Sequence, residues 1–348
     1  MKMKLTIFTC LIVFCLSSNA TFTQLTSNNN DSAGFYLTKA QESRTARKVW
    51  DAEKYYKKAL EFNGNEEEIR IDFAAYYEEQ RKMALALQQY HLVVEKNPKH
   101  VLAVTKQIEL SFLMRKWADV IKYGEAAESN NIKVAKLNYM MGKCYYEDEN
   151  YGKARKLLTI QFQETPQHKE TIVLLGQVFV EMSMYNDAIA MYQKAIENNP
   201  KNYDLMYEIG LLYSAQNNER EAVKYYEMAA ANGMKQDLAF LENLGMAYLT
   251  FDIPKGVEVL NKVLAKKPGD VQILSQIAQA YYKAANYIVA HQLFYKMFEN
   301  DNKNVKALYM AGVALIKAGN KEKGSQMCDK AIAMDPKLGD LRSQKSVL

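Results

Sequence analysis

Between residues 172 and 198, apolar side chains recur every three or four positions in two runs, Ile172–Glu181 and Asn186–Asn198. Polar residues fill the opposite stripes, so the spacing predicts two amphipathic helices joined by a short turn. The same pattern returns along the chain. Five of the six prolines, Pro98, Pro166, Pro200, Pro268 and Pro336, are separated by multiples of 34 residues. A series of mostly small residues keeps the same step: Ala52, Ala86, Val120, Ala154, Ala188, Ala222, Gly256, Ala290 and Gly324. A mostly bulky series runs through Tyr56, Tyr90, Gly124, Leu158, Tyr192, Tyr226, Leu260, Phe294 and Cys328. Gly142, Gly176 and Gly210 form a fourth, resumed at Gly312 with Ala278 between. Nine copies of one helix pair are therefore expected.

Helix packing explains why these landmarks persist while the rest drifts. Gly176 and Ala188 allow the two backbones of a pair to approach, and Tyr192 and Ala195 fill the space on the same face. Pro200 lacks the N–H needed to continue the helix and disfavours an α conformation at Asn199, so the second helix ends there. The stretch Leu175–Pro200 resembles the tetratricopeptide repeat through Leu175, Gly176, Phe179, Ala188, Tyr192, Ala195 and Pro200. The next unit matches through Ile209, Gly210, Tyr213, Ala222, Tyr226 and Ala229 and lacks the proline. Ser43, Leu315 and Cys328 replace expected aromatics near the ends, and Ser111 and Gly124 replace bulky residues around Trp117. Pentatricopeptide RNA-binding repeats have a similar length, but the Gly, Ala, Tyr and Pro landmarks favour the tetratricopeptide pattern. The resemblance implies an all-α, right-handed α-solenoid of about nine helix-turn-helix repeats. The phase slips once: Gly210 to Gly245 is 35 residues, and one residue is then lost near "FDIPKG", placing Pro254 in a shortened turn. Two readings stand, a local change in pitch over residues 232–256 and simple loop drift.

The first twenty residues do not follow the repeat. Lys2 and Lys4 precede the apolar run from Leu5 to Leu16, and "SSNA" supplies small residues before a cut after Ala20. That order predicts a cleaved secretory signal. The run is too short, at about 18 Å as a helix, to span a bilayer core of roughly 30 Å. Residues 21–32 read as a flexible leader with two short candidate glycosylation sites, "NDS" and "DSA". Residues 33–338 form the solenoid, its first repeat the least regular, and 339–348 a C-terminal tail. No transmembrane segment is expected, and the location is periplasmic or cell-envelope associated. Cys10 and Cys15 lie in the signal; Cys144 and Cys328 lie in helical apolar patterns and read as buried thiols rather than a disulfide framework. The formal charge of +5 has both signs interspersed, which predicts no nucleic-acid partner.

No catalytic constellation emerges. His91, His100, His168 and His291 fall in different repeats, and none has a Cys or second His at metal-ligand spacing. No nucleophile elbow or phosphate-binding loop is present. The chain is expected to be no enzyme, with no metal and no cofactor. What remains is a surface. The resemblance implies that the first helix of each pair lines a concave groove, with partner-binding candidates Tyr139, Lys143, Tyr146, Tyr207, Leu211, Met246, Tyr282 and Tyr309. Packing against the neighbouring repeat is the competing role for these tyrosines. The lysine clamp that some relatives use on chaperone tails is missing, since Tyr139, Val173 and Tyr207 stand where it needs Lys; Asn243 alone resembles one of its asparagines. The expected function is a non-catalytic scaffold or adaptor holding a protein partner in an envelope complex. The alternative is a glycan or cell-wall-fragment receptor using the groove tyrosines.

Overall fold

The computed structural model describes residues 32–62 and 66–342. The expected signal and most of the leader, residues 1–31, and the end of the tail, residues 343–348, lie outside the described residues. Two compact units divide at Pro166 and Gln167. Every regular element described is helical, and the helices come in pairs, each of a first (A) and a second (B) helix.

The first unit holds α1 (residues 32–45), α2 (Val49–Glu61), α3 (Glu66–Glu79), α4 (Met83–Lys96), α5 (Val101–Leu113), α6 (Trp117–Ser129), α7 (Leu137–Glu147) and α8 (Tyr151–Glu164). The irregular first repeat is thus a complete pair, and Ser32, expected in the leader, already belongs to its first helix. The second unit holds α9 (Lys169–Glu181), α10 (Tyr185–Asn198), α11 (Tyr203–Ala215), α12 (Glu219–Ala231), α13 (Leu238–Leu249), α14 (Ile253–Leu264), α15 (Val271–Lys283), α16 (Tyr287–Asn300), α17 (Val305–Lys317) and α18 (Lys321–Met334). A 3-10 helix, Pro336–Arg342, follows and buries Leu338 against the last pair. Each unit is an α-solenoid in which a helix pair packs on the next.

The periodic landmarks meet in space. A Cβ on Gly142 would lie 2.8 Å from Leu158, and one on Gly176 would lie 2.6 Å from Cδ1 of the Tyr192 ring. Gly210 faces Tyr226, Gly245 faces Leu260 and Gly312 faces Cys328 in the same way. Where an A helix carries this glycine, it is a socket for the bulky residue of its own B helix. Where the B helix carries Gly124, Met141 and Leu137 of the following helix reach into the gap instead. Tight packing around an absent ring needs such a substitute, because an unfilled space loses dispersion contacts.

The A–B turn is built the same way almost throughout. In α9, Met184 N–H donates to the Phe179 carbonyl (2.8 Å) and Ser183 N–H to the Val180 carbonyl (2.8 Å), a Schellman closure. Its left-handed residue recurs at Arg47, Arg81, Arg115, Glu149, Ser183, Asn217, Ala285 and Gly319, with φ between 55° and 59° at the non-glycine positions and 97° at Gly319. The residue after it is the N-cap of the B helix. The α13–α14 turn lacks the left-handed residue: Asp252 N–H bonds back to the Tyr248 carbonyl (2.7 Å) and Asp252 caps α14 through Lys255 N–H (3.1 Å). The residue lost near "FDIPKG" is thus the left-handed one. Pro254 is the second residue of α14 rather than a turn residue, a position where its missing N–H costs nothing. The compensating insertion sits before α13, where Gly233 (φ 102°) ends α12 with Met234 N–H on the Ala229 carbonyl (3.0 Å). Asn131 closes α6 likewise, so left-handed caps end α6 and α12, where Ile132 and Met234 replace the periodic proline, while α16 ends at extended Asp301 without one.

Candidate partner-binding surface

In the first unit, the A helices α5 and α7 and the start of α6 enclose a cleft of about 550 Å³. Its floor is aromatic. The Phe112 ring meets Trp117 edge-on at 5.7 Å and Tyr139 at 6.0 Å. Glu109, Arg115, Lys143 and Glu147 supply its polar rim, with the exposed Leu113 beside them. Lys143 Nζ is held by Glu147 at 2.6 Å and lies 4.9 Å from the centre of the Tyr146 ring. Tyr139 and Lys143 therefore line one cleft, while Tyr146 serves as a half-buried platform for Lys143 and pairs with Tyr151 at 5.8 Å.

The second unit carries two clefts on either side of α15. One, about 760 Å³, lies between α13 and α15 and includes Glu242, Asn243 and Met246. The other, about 490 Å³, lies between α15 and α17 and includes Ser275, Asn304 and Lys306. Gln272, Gln276 and Gln279 line both. They stand three and four positions apart, so they share one helical face. Gln279 donates to the Ser275 hydroxyl (3.0 Å), and Asn243 donates to the Tyr207 hydroxyl (2.6 Å). Each amide offers two donor hydrogens and a carbonyl acceptor on separate atoms, where a hydroxyl offers one donor and a methionine sulfur only a weak acceptor.

The remaining expected residues separate into distinct roles. Met246 lines the α13–α15 cleft. Tyr207 is tied to its neighbours, its ring 5.6 Å from Phe240 and 5.4 Å from Tyr226, so it joins consecutive pairs. Leu211 is half-buried on the same helix. Tyr282 meets Tyr287 edge-on at 5.2 Å, and burial pushes its hydroxyl above the ordinary tyrosine range. Tyr309 is a correction. At 2% exposure it belongs to the core of the last two pairs, where its carbonyl receives the Cys328 thiol, and it offers no surface to a partner. The first-helix candidates did not include Gln272, Gln276 or Gln279, nor Phe112 and Trp117 of the first unit. A signal existed for one of them: Asn243 and Gln276 are equivalent positions of consecutive pairs, and both carry amides.

The histidines have structural partners. His100 and His168 cap α5 and α9 through Nδ1, at 3.1 Å from Ala103 N and 3.3 Å from Thr171 N. His91 Nδ1 meets Gln107 Nε2 at 2.9 Å, and His291 Nδ1 meets the Ala311 carbonyl at 3.0 Å. Cys144 and Cys328 are both buried thiols, and burial pushes the Cys144 thiol up to about 12. Among the described residues, no group of three or more His, Cys, Asp or Glu could hold a metal ion, and no helix is long and apolar enough to cross a membrane.

Tetratricopeptide-repeat models match residues 173–251 and 305–338. The chain therefore carries tetratricopeptide repeats over those residues. It is similar to BBSome complex member BBS4 of Bos taurus, 24% identical over 238 residues, covering 68% of this chain and 46% of that protein. A second similarity is to cellulose synthase operon protein C of Pseudomonas fluorescens, 25% identical over 179 residues, covering 48% of this chain and 14% of that protein. The aligned stretches thus span less than half of these relatives. Among solved structures, the C-terminal part of a TPR repeat-containing protein from Cytophaga hutchinsonii aligns with a TM-score of 0.48 and 20% identity, over 68% of this chain and 98% of that one. YrrB, described as a TPR protein with an unusual peptide-binding site, aligns with a TM-score of 0.41 and 21% identity, over 54% of this chain and 98% of that one.

Proposed function

We propose that this protein is a non-catalytic scaffold that holds an extended segment of a protein partner across α13, α15 and α17, in the cell envelope after removal of residues 1–20. The observation that carries the reading is the glutamine face of α15 with a cleft on each side. An extended polypeptide presents a carbonyl and an N–H at every residue, and side-chain amides answer both. Met246, half-buried at the α13–α15 cleft, gives apolar surface to a partner side chain. Sequence position supports export, since a basic, apolar, small-residue succession occupies Met1–Ala20.

The test uses protein purified from the envelope fraction with its co-purifying partner. Intact mass is expected to start at Thr21; retention of Met1–Ala20 or an added lipid would overturn the proposed route. Gln272→Ala, Gln276→Ala and Met246→Ala together are expected to weaken partner binding about tenfold, or 1.4 kcal/mol, with helical circular dichroism preserved. Gln272 and Gln276 are exposed and Met246 is half-buried, so the fold survives their truncation. Unchanged affinity would move the site off this face.

A further inference from the structure

The left-handed turn residue and the N-cap that follows it are basic in each of the first three pairs: Arg47 and Lys48, Arg81 and Lys82, Arg115 and Lys116. The next turn reverses the charge with Asp148 and Glu149. All six cations are exposed. Among the described residues, only Lys82 of the six has an ion pair, to Glu53 at 3.0 Å. That pair and the bond from the Tyr76 hydroxyl to the Val49 carbonyl (2.7 Å) tie the second turn to the start of α2. Stacking of equivalent pairs then sets the three turns along one edge of the first unit. Asp51 and Asp119 lie in the helix turns that follow, Glu53 pairs with Lys82, and Glu79, just before the second turn, pairs with Arg44, so the six cations leave the edge net positive.

The same edge exposes one large apolar side chain per turn: Trp50 at 87%, Leu85 at 38% and Leu113 at 62%. We infer that this edge docks on an anionic lipid bilayer surface. Lipid phosphates pair with the guanidinium and ammonium groups, while Trp50, Leu85 and Leu113 enter the boundary between headgroups and acyl chains. An acidic polypeptide would satisfy the cations alone and leave three apolar side chains in water. The recurring left-handed backbone at Arg47, Arg81 and Arg115 starts the three side chains from equivalent positions of their turns.

The test is co-sedimentation of the full chain with vesicles of phosphatidylcholine alone, or of phosphatidylcholine and phosphatidylglycerol in equal parts, at low and high salt. Residues 1–31 are common to every variant, so the edge is read as the anionic-minus-neutral difference. The wild type is expected to prefer anionic vesicles and to lose that preference at high salt. Arg47→Glu, Arg81→Glu and Lys116→Glu together are expected to reduce binding to anionic vesicles about a hundredfold. Glu149 occupies the equivalent left-handed position in the fourth turn, which shows that the turn accepts Glu. Lys201→Glu, Lys235→Glu and Lys303→Glu, exposed in loops of the second unit, make the same change in net charge and are expected to bind as the wild type does. Trp50→Ser removes a side chain with little packing and is expected to weaken anionic-vesicle binding several-fold, so it tests the edge even if the triple variant misfolds. Equal loss in the two triple variants, no loss on reversing the edge, or indifference to Trp50→Ser would each overturn the inference. So would binding of soluble polyglutamate by a wild type that ignores the vesicles.

Discussion

Replacing Gly312 by Ala tests the socket logic where backbone, and not only a side chain, closes the socket. Its Cβ would stand 2.7 Å from the Gly324 carbonyl oxygen, 2.7 Å from the Cys328 sulfur and 3.0 Å from the Cys328 backbone nitrogen. Two of those three atoms are backbone of α18, so relief requires the helices to move apart, whereas a flexible side chain could simply turn. Overpacking of this kind costs roughly 1–3 kcal/mol, occasionally more. Alanine returns about 1 kcal/mol through its better helix propensity. The net expectation is a destabilisation of about 1–2 kcal/mol, at the upper end because the obstacle is backbone. Gly176→Ala meets the Tyr192 ring instead, 2.6 Å from Cδ1, and a ring can tilt, so its penalty is expected to be smaller. Ala278 already stands at the equivalent position opposite Phe294. Gly152→Ala meets nothing within 4 Å and is expected to stabilise by up to about 1 kcal/mol. Repeat arrays do not unfold in one step, so amide exchange of α17 and α18, α9 and α10, and α8 is the assay, with urea unfolding alongside. The expected order of destabilisation is Gly312, then Gly176, then Gly152. If all three substitutions stabilised their helices alike, the glycines would not be sockets.

At Ala285 the backbone has φ 59°, which a side chain disfavours by about 1–2 kcal/mol and glycine does not; glycine gives back roughly half in unfolded-chain entropy. Ala285→Gly is therefore expected to protect the amides of α15 and α16 by up to about 1 kcal/mol, and faster exchange there would contradict the Schellman assignment. Acid should open the first two pairs early. Glu66 is held below the usual carboxylate range by Lys96 and Arg70, Glu79 by Arg44, and Glu53 by Lys57 and Lys82. A depressed folded pKa gives stability that is present above the unfolded value, about 4.3, and is lost as pH falls through the lower folded values. Exchange of α2 and α3 should rise below about pH 4 before that of α15–α18, whose pairs meet mainly through apolar contacts; simultaneous opening would refute this.

The repeat count, the helix boundaries near Tyr192 and the small and bulky packing positions were legible before any coordinates. Those features rest on period, and a residue that must fit a socket recurs wherever the socket recurs. The candidate surface was legible only in part. Met246, Tyr139 and Lys143 line clefts as the first-helix positions implied, because side chains three and four apart share a face whatever packs above them. Tyr207 and Tyr309 look identical to Tyr139 in the pattern, yet one is pinned between pairs and the other is buried. A tyrosine can be core or surface, and the choice depends on the neighbouring pair, which lies a full period away.

The one-residue loss near Pro254 marks the same boundary. Sequence spacing located it, but only the backbone assigned it to a left-handed turn residue, since Arg, Glu, Ser, Asn and Ala fill that conformation elsewhere and leave no glycine signature. The basic edge is the clearest case. Net charge and the mixture of signs along the chain gave no sign of clustering, because Arg47, Arg81 and Arg115 are a full repeat apart in sequence. Sequence by itself determined the helix pair, its period and the residues that let pairs stack, all of them set by local spacing and steric size. Which of the remaining side chains share a cleft or an edge was decided by stacking, which brings residues one repeat apart into register and sets whether each faces a neighbour or water.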